Sequence, residues 1–245
     1  MEDKALLSTE VASGAEKAEL LIVIPAYNEA ENIERVVNHL TANFPQYDYV
    51  VVNDGSRDET AAICQRNGYN LLNLPVNLGL AGAFQAGLKY ADKYGYQYAV
   101  QLDGDGQHRP EYLESMIKKM EEGYDIVIGS RFVGEKKPFT MRMLGSNLIE
   151  MAIRFTTGVN IKDPTSGMRM FSKRMIREFA SGLNYGPEPD TVSYLIRQGA
   201  RVAEVPVIMD ERILGVSYLT AVNAMRYMLK MLISILLIQN FRKRR

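Results

Sequence analysis

Tyr98-Ala99-Val100-Gln101-Leu102 runs directly into Asp103-Gly104-Asp105-Gly106-Gln107-His108. A short apolar run ending in an acidic, glycine-loosened turn reads as a buried strand that delivers carboxylates at its carboxyl end. Two carboxylates two residues apart suit a hard divalent cation that is itself bound to phosphates, and Gln107 adds a neutral oxygen. Asp-Gly turns are also common between elements, so the meaning of this stretch depends on what surrounds it.

Upstream, Leu20 to Ile24, Tyr49 to Asn53 and Leu71 to Leu74 predict strands. Asn32 to Leu40, Glu59 to Asn67 and Ala81 to Tyr94 predict the helices between them. Downstream, a helix from Glu111 to Glu121 and a strand from Asp125 to Ile128 continue the alternation. The second half is less regular, with helices over Leu144 to Phe155 and Thr191 to Gln198 and strands at Arg169 to Phe171 and Arg201 to Ile208. Strand and helix in repetition predict an α/β fold, a mostly parallel mixed sheet with helices on both faces. Such sheets bind ligands beyond the carboxyl ends of their strands.

The chain has 245 residues, 47% hydrophobic and 24% charged, with 29 basic and 29 acidic side chains. Collagen-like, disordered and disulfide-stapled classes are excluded by that composition. Zero net charge leaves no global field to attract nucleic acid. The single cysteine, Cys64, has no partner for an internal disulfide and fits a reducing compartment. Residues 1–19 are polar, carry both charge signs and lack the apolar core of a signal peptide, which predicts a flexible leader that does not direct export. Residues 20–218 read as one domain. Residues 219–245 read as an amphipathic helix with a basic tail, in which Asn223, Arg226, Lys230 and Ser234 form a polar stripe and Phe241-Arg242-Lys243-Arg244-Arg245 closes the chain. The uncharged part is shorter than the roughly 20 residues that cross a bilayer, which predicts a helix lying in the membrane interface rather than spanning it. Packing on the domain or in a subunit interface is the plain alternative.

Two further strand ends carry polar turns. Pro25-Ala26-Tyr27-Asn28-Glu29 follows the first strand, with Asn28 and Glu31 at capping-box spacing, and Asn53-Asp54-Gly55-Ser56 follows the second, with Ser56 and Glu59 spaced alike. Asp54 is placed to accept a hydrogen bond from a base or ribose. His39 reads as a solvated helix residue and His108 as a support of the acidic loop. The methionines at 141, 143, 151, 225, 228 and 231 read as adaptable core side chains. Gly134 to Thr140, with Lys136 and Lys137, reads either as a mobile acceptor loop or as a solvated one.

These motifs, with Asn77-Leu78-Gly79, Gly129-Ser130-Arg131, Asp163-x-x-Ser166-Gly167-Met168-Arg169 and Glu204-Val205-Pro206, stand in the order found in family 2 glycosyltransferases. The resemblance covers about residues 20–218 and is strongest to the polyprenyl-phosphate sugar transferases, the branch of dolichyl-phosphate mannose synthase. It implies a GT-A nucleotide-binding sandwich that transfers sugar with inversion. By the same resemblance Pro25, Tyr27, Glu29 and Asp54 hold the nucleoside, and Asp103, Asp105 and Gln107 hold Mg²⁺ or Mn²⁺ on the donor pyrophosphate. Arg131, Arg169 and Arg212 contact phosphates, and Asp163 is the first candidate catalytic carboxylate, able also to orient Arg169, with Glu188 and Asp190 as further bases. Two departures stand out: only Asp54 remains of a second acidic pair, and Ser217-Tyr218 replaces a Ser-Lys.

The implied reaction moves one sugar from a nucleotide sugar, with uridine the first choice of base, to a polyprenyl phosphate for surface-glycan synthesis. The enzyme would sit peripherally on the cytoplasmic face of the membrane, with self-association or a small membrane-embedded partner and no nucleic acid. A lipid phosphate is already anionic near neutral pH and needs no general base, whereas a sugar hydroxyl does. The competing readings are transfer to a carbohydrate hydroxyl in polysaccharide assembly and a non-catalytic nucleotide-sugar-binding subunit of a membrane complex. A sugar nucleotidyltransferase is disfavoured, because Pro25-Ala26-Tyr27 stands where a Gly-rich phosphate loop would.

Overall fold

The computed structural model describes residues 19–135, 137–181, 186, 188–210 and 221–241. In chain order its elements are β1 (Leu20–Ala26), α1 (Ile33–Asn43), β2 (Asp48–Asp54), α2 (Thr60–Arg66), β3 (Leu71–Leu74), α3 (Gly79–Tyr94) and β4 (Tyr98–Gln101). A 3₁₀ turn at Pro110–Tyr112 leads into α4 (Leu113–Glu121), then β5 (Ile126–Ser130), α5 (Met141–Thr157), β6 (Arg169–Ser172), α6 (Lys173–Ser181), α7 (Pro189–Arg197), β7 (Val202–Pro206) and α8 (Ala221–Leu236).

The seven strands form one sheet in the order β3-β2-β1-β4-β6-β5-β7. All neighbours are parallel except β6, which runs antiparallel between β4 and β5. The chain leaves β1 towards β2 and β3, then returns through α3 to pair β4 with the other side of β1. Right-handed crossovers in opposite directions place their helices on opposite faces. Accordingly α1, α2 and α4 cover one face, and α3, α5, α6, α7 and α8 the other. The reversal falls between β1 and β4, which opens a crevice at their carboxyl ends.

Coverage of both faces explains the unbroken apolar run of β1. Leu21 and Val23 enter one core, and Leu20, Ile22 and Ile24 the other. Each such burial contributes about 1.5–3 kcal/mol. Helix α3 lies so close to β1 that a Cβ on Gly87 would fall 2.2 Å from Val23 Cγ1. Helix α8 packs on α5 and α7 and sends Met231 and Ile235 into the same core as Ile149 and Ile153 of α5.

Three local expectations are corrected. Helix α6 was not apparent from the sequence, because Ser172 ends β6 and Lys173 begins the helix with no connecting residue. Neither capping box forms: α1 starts at Ile33 after Asn32, α2 starts at Thr60 after Glu59, and neither N-cap side chain accepts a hydrogen bond from its helix. The polar stripe of α8 is also broken. Arg226 and Lys230 face outward, whereas Ser234 is buried and donates to Asp190 Oδ2 at 2.6 Å. The leader's first eighteen residues, Lys136, Arg212, Ser217, Tyr218 and the tail from Arg242 lie outside the described residues.

Candidate active site

At the carboxyl ends of β1 and β2 the polar residues that resembled caps stitch two loops together. Asn28 takes a left-handed φ of 56°, a conformation its short amide side chain tolerates. Its N–H donates to Ser56 Oγ (3.0 Å), and its Oδ1 accepts from Arg57 N (2.9 Å). Glu29 N donates to Thr60 Oγ1, and Ala30 N to Asp58 Oδ2. Burial alone would raise the Asp58 carboxyl, but hydrogen bonds from the Thr60 hydroxyl and from the Thr60 and Ala30 amides hold it below its ordinary value. The cross-loop bonds outcompeted the local caps.

Asp54 is buried at the end of β2, and its Oδ1 accepts from Leu78 N at 2.6 Å. Gly55, at φ 63°, lies against the backbone of Val76 and Asn77, where a Cβ would come within 2.7 Å. Asp54 thus fixes the Asn77-Leu78-Gly79 turn beside the crevice. Of the other expected nucleoside contacts, Pro25 is buried in β1, Tyr27 is partly exposed, and Glu29 Oε2 accepts from Asn32 Nδ2 (2.8 Å).

The acidic loop follows β4. Asp103 Oδ1 accepts from Gln101 Nε2 (2.9 Å), and Asp105 Oδ1 from Gln107 N (3.1 Å). His108 Nδ1 accepts from Asp103 N (3.0 Å), so a neutral ring carries its proton on Nε2, which lies 3.6 Å from Asp103 Oδ2. Arg35 of α1 donates to the Asp105 carbonyl (3.0 Å) and crowds Gly106, whose φ of 79° and lack of Cβ let the loop pass. Gln107 Nε2 donates to the Asp210 carbonyl (3.1 Å), which leaves its Oε1 as the atom able to meet a cation. Arg109 forms a two-pronged ion pair with Asp210, which holds that carboxyl below its ordinary value. The loop is therefore anchored on α1 and on the segment after β7.

The loop between α5 and β6 closes the other wall. A Cβ on Gly167 would fall 3.1 Å from His108 Cε1 and 3.2 Å from Asp103 Oδ2, so the two motifs touch. Asp163 is fully buried and accepts from Arg131 Nε (2.8 Å), Nη2 (2.9 Å) and N (3.2 Å). Asp163 N and Lys162 N both donate to the Glu204 carboxylate at 2.8 Å. Ser166 Oγ donates to the Gly129 carbonyl (2.5 Å). Asp163 thus orients Arg131, not Arg169.

Arg169 is placed otherwise than the resemblance implies. Its guanidinium is buried and donates to the carbonyls of Ser166 (2.8 Å) and Pro164 (2.6 Å), so it holds the loop from behind. Arg35, Arg109, Asp210 and the bracing role of Glu204 were missed by sequence reasoning. The Glu204-Val205-Pro206 motif marked the place of Glu204, but no local signal marks the other three.

A family model described as glycosyl transferase family 2 matches residues 21–180. Polyprenol monophosphomannose synthase of Mycolicibacterium smegmatis is 32% identical over 223 residues, 86% of this chain and 84% of that protein. Undecaprenyl-phosphate mannosyltransferase of Micrococcus luteus is 31% identical over 210 residues, 81% of this chain and 86% of that one. Among solved structures, a mannosyltransferase from Pyrobaculum calidifontis, in complex with GDP-Man and Mn²⁺, superposes with a TM-score of 0.65 at 18% identity, over 94% of this chain and 66% of that chain. At that identity the likeness establishes the fold.

Proposed function

The chain belongs to glycosyl transferase family 2, and from that premise we propose that this glycosyltransferase moves one mannosyl unit, with inversion, from a guanosine diphosphate sugar to a polyprenyl phosphate at a membrane surface. The names of the two relatives support the sugar and the lipid acceptor, and the donor in the Pyrobaculum structure supports guanosine. Guanosine here replaces the uridine expected from the sequence.

A divalent cation fits the loop after β4. Asp103, Asp105 and Gln107 offer hard oxygen donors, and Gly104 lies where a Cβ would meet the Pro25 carbonyl at 3.0 Å. Among the described residues no three His, Cys, Asp or Glu side chains converge as a metal site, which suits an ion completed by donor phosphates. Bound there, Mg²⁺ or Mn²⁺ would neutralise the charge growing on the departing diphosphate.

The observation that carries the lipid-phosphate acceptor is the fate of the candidate bases. Asp163 is buried in its ion pair with Arg131, Asp190 accepts from Ser234 and Thr191, and Glu188 lies beside the Tyr227 phenol. Asp163 and Asp190 are thus engaged within the protein and neither stands free as the base that a sugar hydroxyl needs, whereas an anionic phosphate needs none. Arg131, held flat by two parallel bonds and a quarter exposed, suits a phosphate oxygen. Asp54 and the turn it fixes would receive the nucleoside, with Pro25, Tyr27 and Glu29 along the floor.

Peripheral attachment on the cytoplasmic face would use α8, whose Met225, Leu229 and Ile233 are exposed beside Arg226 and Lys230. No helix of the described residues is long and apolar enough to cross a membrane. Residues 219–245 would then act as the interfacial part of a single-domain enzyme, with self-association or a small embedded partner completing it. The test is a donor screen with purified protein, Mn²⁺ or Mg²⁺ and short-chain polyprenyl phosphate, followed by organic extraction. Label from GDP-mannose in the organic phase is the expected result; no organic-phase product from any donor overturns the reading.

A further inference from the structure

The turn that carries both acidic side chains is held by a residue outside it. Gly106 N donates to the Asp103 carbonyl at 3.2 Å, so Asp103 to Gly106 form one hydrogen-bonded turn with Asp105 at its third position. Arg35, the third residue of α1, reaches across and donates from Nη2 to the Asp105 carbonyl at 3.0 Å. Gly106 makes room for it: a Cβ there would fall 2.7 Å from the same nitrogen. That nitrogen also lies 3.5 Å from Asn32 Oδ1, and Asn32 is buried with its Nδ2 donating to Glu29 Oε2 at 2.8 Å. Glu29 meets the acidic turn a second time, since a Cβ on Gly104 would come 3.5 Å from Glu29 Cγ. Two contacts thus join the loop after β1 to the turn after β4, and Arg35 makes the polar one. Among the described residues Arg35 forms no ion pair, so its charge serves the carbonyl and not a carboxylate.

We propose that Arg35 is a positioning residue for the cation of the transfer reaction: it fixes the peptide plane that aims Asp105 and ties that turn to the loop offered to the nucleoside. A hydrogen bond from a charged donor is roughly twice as strong as a neutral one, which suits it to hold a residue flanked by two glycines. Without Arg35 the turn keeps its own backbone bond but loses its tie to α1. Asp103 and Asp105 then no longer meet a cation at a fixed separation. The nucleotide side feels the same loss, because Asn32 and Glu29 stand at the other end of the strut. Charge alone makes the opposite prediction: removing a positive group beside the site would let Mn²⁺ bind more tightly. This inference rests on the reading of Asp103, Asp105 and Gln107 as the donors to the cation.

The test uses the full-length protein with GDP and compares wild type with Arg35→Ala and Arg35→Lys during titration with Mn²⁺, the free ion being read by electron paramagnetic resonance. Arg35→Ala is expected to weaken Mn²⁺ binding about tenfold, the lower end for one hydrogen bond to a charged group, because Arg35 is solvent-exposed. Arg35→Lys, whose ammonium still donates to the Asp105 carbonyl, should recover part of that loss. In transfer assays the apparent KM for Mn²⁺ should rise by the same factor, with the KM for the lipid phosphate unaltered. Arg66→Ala removes another exposed arginine, paired with Glu59, and should match wild type in Mn²⁺ binding. Unchanged or tighter Mn²⁺ binding by Arg35→Ala overturns the proposal. A wild type that binds Mn²⁺ and GDP but makes no lipid-linked sugar defeats the acceptor reading alone. A wild type that binds no Mn²⁺ defeats the cation reading, and amide hydrogen exchange then decides the strut. Faster exchange at Gly106 and Gln107 in Arg35→Ala supports the tie to α1, and exchange equal to wild type overturns it.

Discussion

Asp105 and Asp163 are both aspartates at the ends of acidic motifs, yet their surroundings give them opposite tasks. Asp163 is surrounded by donors from Arg131 and serves to aim that side chain. Asp105 sits at the crevice with its backbone carbonyl anchored by Arg35 and its Oδ1 accepting from Gln107 N. Replacing Asp105 with asparagine should therefore lower kcat by roughly 10²–10³-fold, the scale of losing one electrostatic contact to developing charge, while the melting temperature stays within a few degrees. Steady-state transfer assays beside thermal melts check this; unchanged turnover would remove Asp105 from the site. Cys64 behaves as a core side chain. Burial pushes its thiol up to about 11, so at pH 8 iodoacetamide should label the native protein only as fast as it opens, and urea should release the reaction. Rapid labelling without denaturant would contradict that burial. The Asp-x-Asp turn was legible at this scale because both carboxylates lie within three consecutive residues after one strand. Arg131 and Arg169 were not distinguishable in sequence; the loop carbonyls of Ser166 and Pro164 draw Arg169 inward, whereas Arg131 stays a quarter exposed.

Helix α8 has two apolar faces with different partners. Met231 and Ile235 are fully buried against α5 and α7, whereas Leu229 is 59% and Ile233 42% exposed. Helix α5 continues the outer surface with Met151 at 62% and Phe155 at 84% exposure. Substituting Leu229 and Ile233 together by glutamate should leave stability nearly unchanged and abolish co-sedimentation with anionic vesicles, because charge is placed where an apolar face would enter the interface. Met231→Ala should instead cost about 2–5 kcal/mol in urea denaturation through the cavity it leaves. Retained vesicle binding by the double glutamate variant would refute the interfacial role. The segment was legible as a helix; that Ser234 belongs to its inner face was not. Apolar residues on nearly all sides hide which side is core, and the half-buried acceptor Asp190, 44 positions away, is what fixes the rotation. Helix α6 was hidden for a different reason, the absence of any turn between it and β6.

Across the whole molecule the alternation of strands and helices made the sheet and its switch point readable, and with them the place where a candidate site would lie, because β-α-β handedness leaves few alternatives. The antiparallel insertion of β6 was not readable, since its four residues carry no direction of their own. What joins the loops at the sheet's two ends is a set of aspartates working at long range. Asp58 ties the loops after β1 and β2, Asp210 ties the acidic loop to the segment after β7, and Asp125 ties the start of β5 to Arg174 and to the amide of Arg201. All three carboxyls lie below their ordinary value: for Asp58 and Asp125 hydrogen bonds outweigh burial, and for Asp210 the Arg109 guanidinium dominates. A folded pKa below the unfolded one means that the unfolded chain binds the proton more tightly, so the stabilisation is complete above the ordinary aspartate value of about 3.9 and vanishes as pH falls through the folded value. Asp58→Asn should consequently be less stable than wild type at pH 7, and the gap should close as the pH is lowered below about 4, because the protonated wild-type carboxyl has then lost the same charge. Urea midpoints for both proteins at pH 7, 5, 4 and 3 measure the gap directly. A gap of constant size would mean that the Asp58 charge contributes nothing to the seam between the first two loops, and that shape alone holds them together.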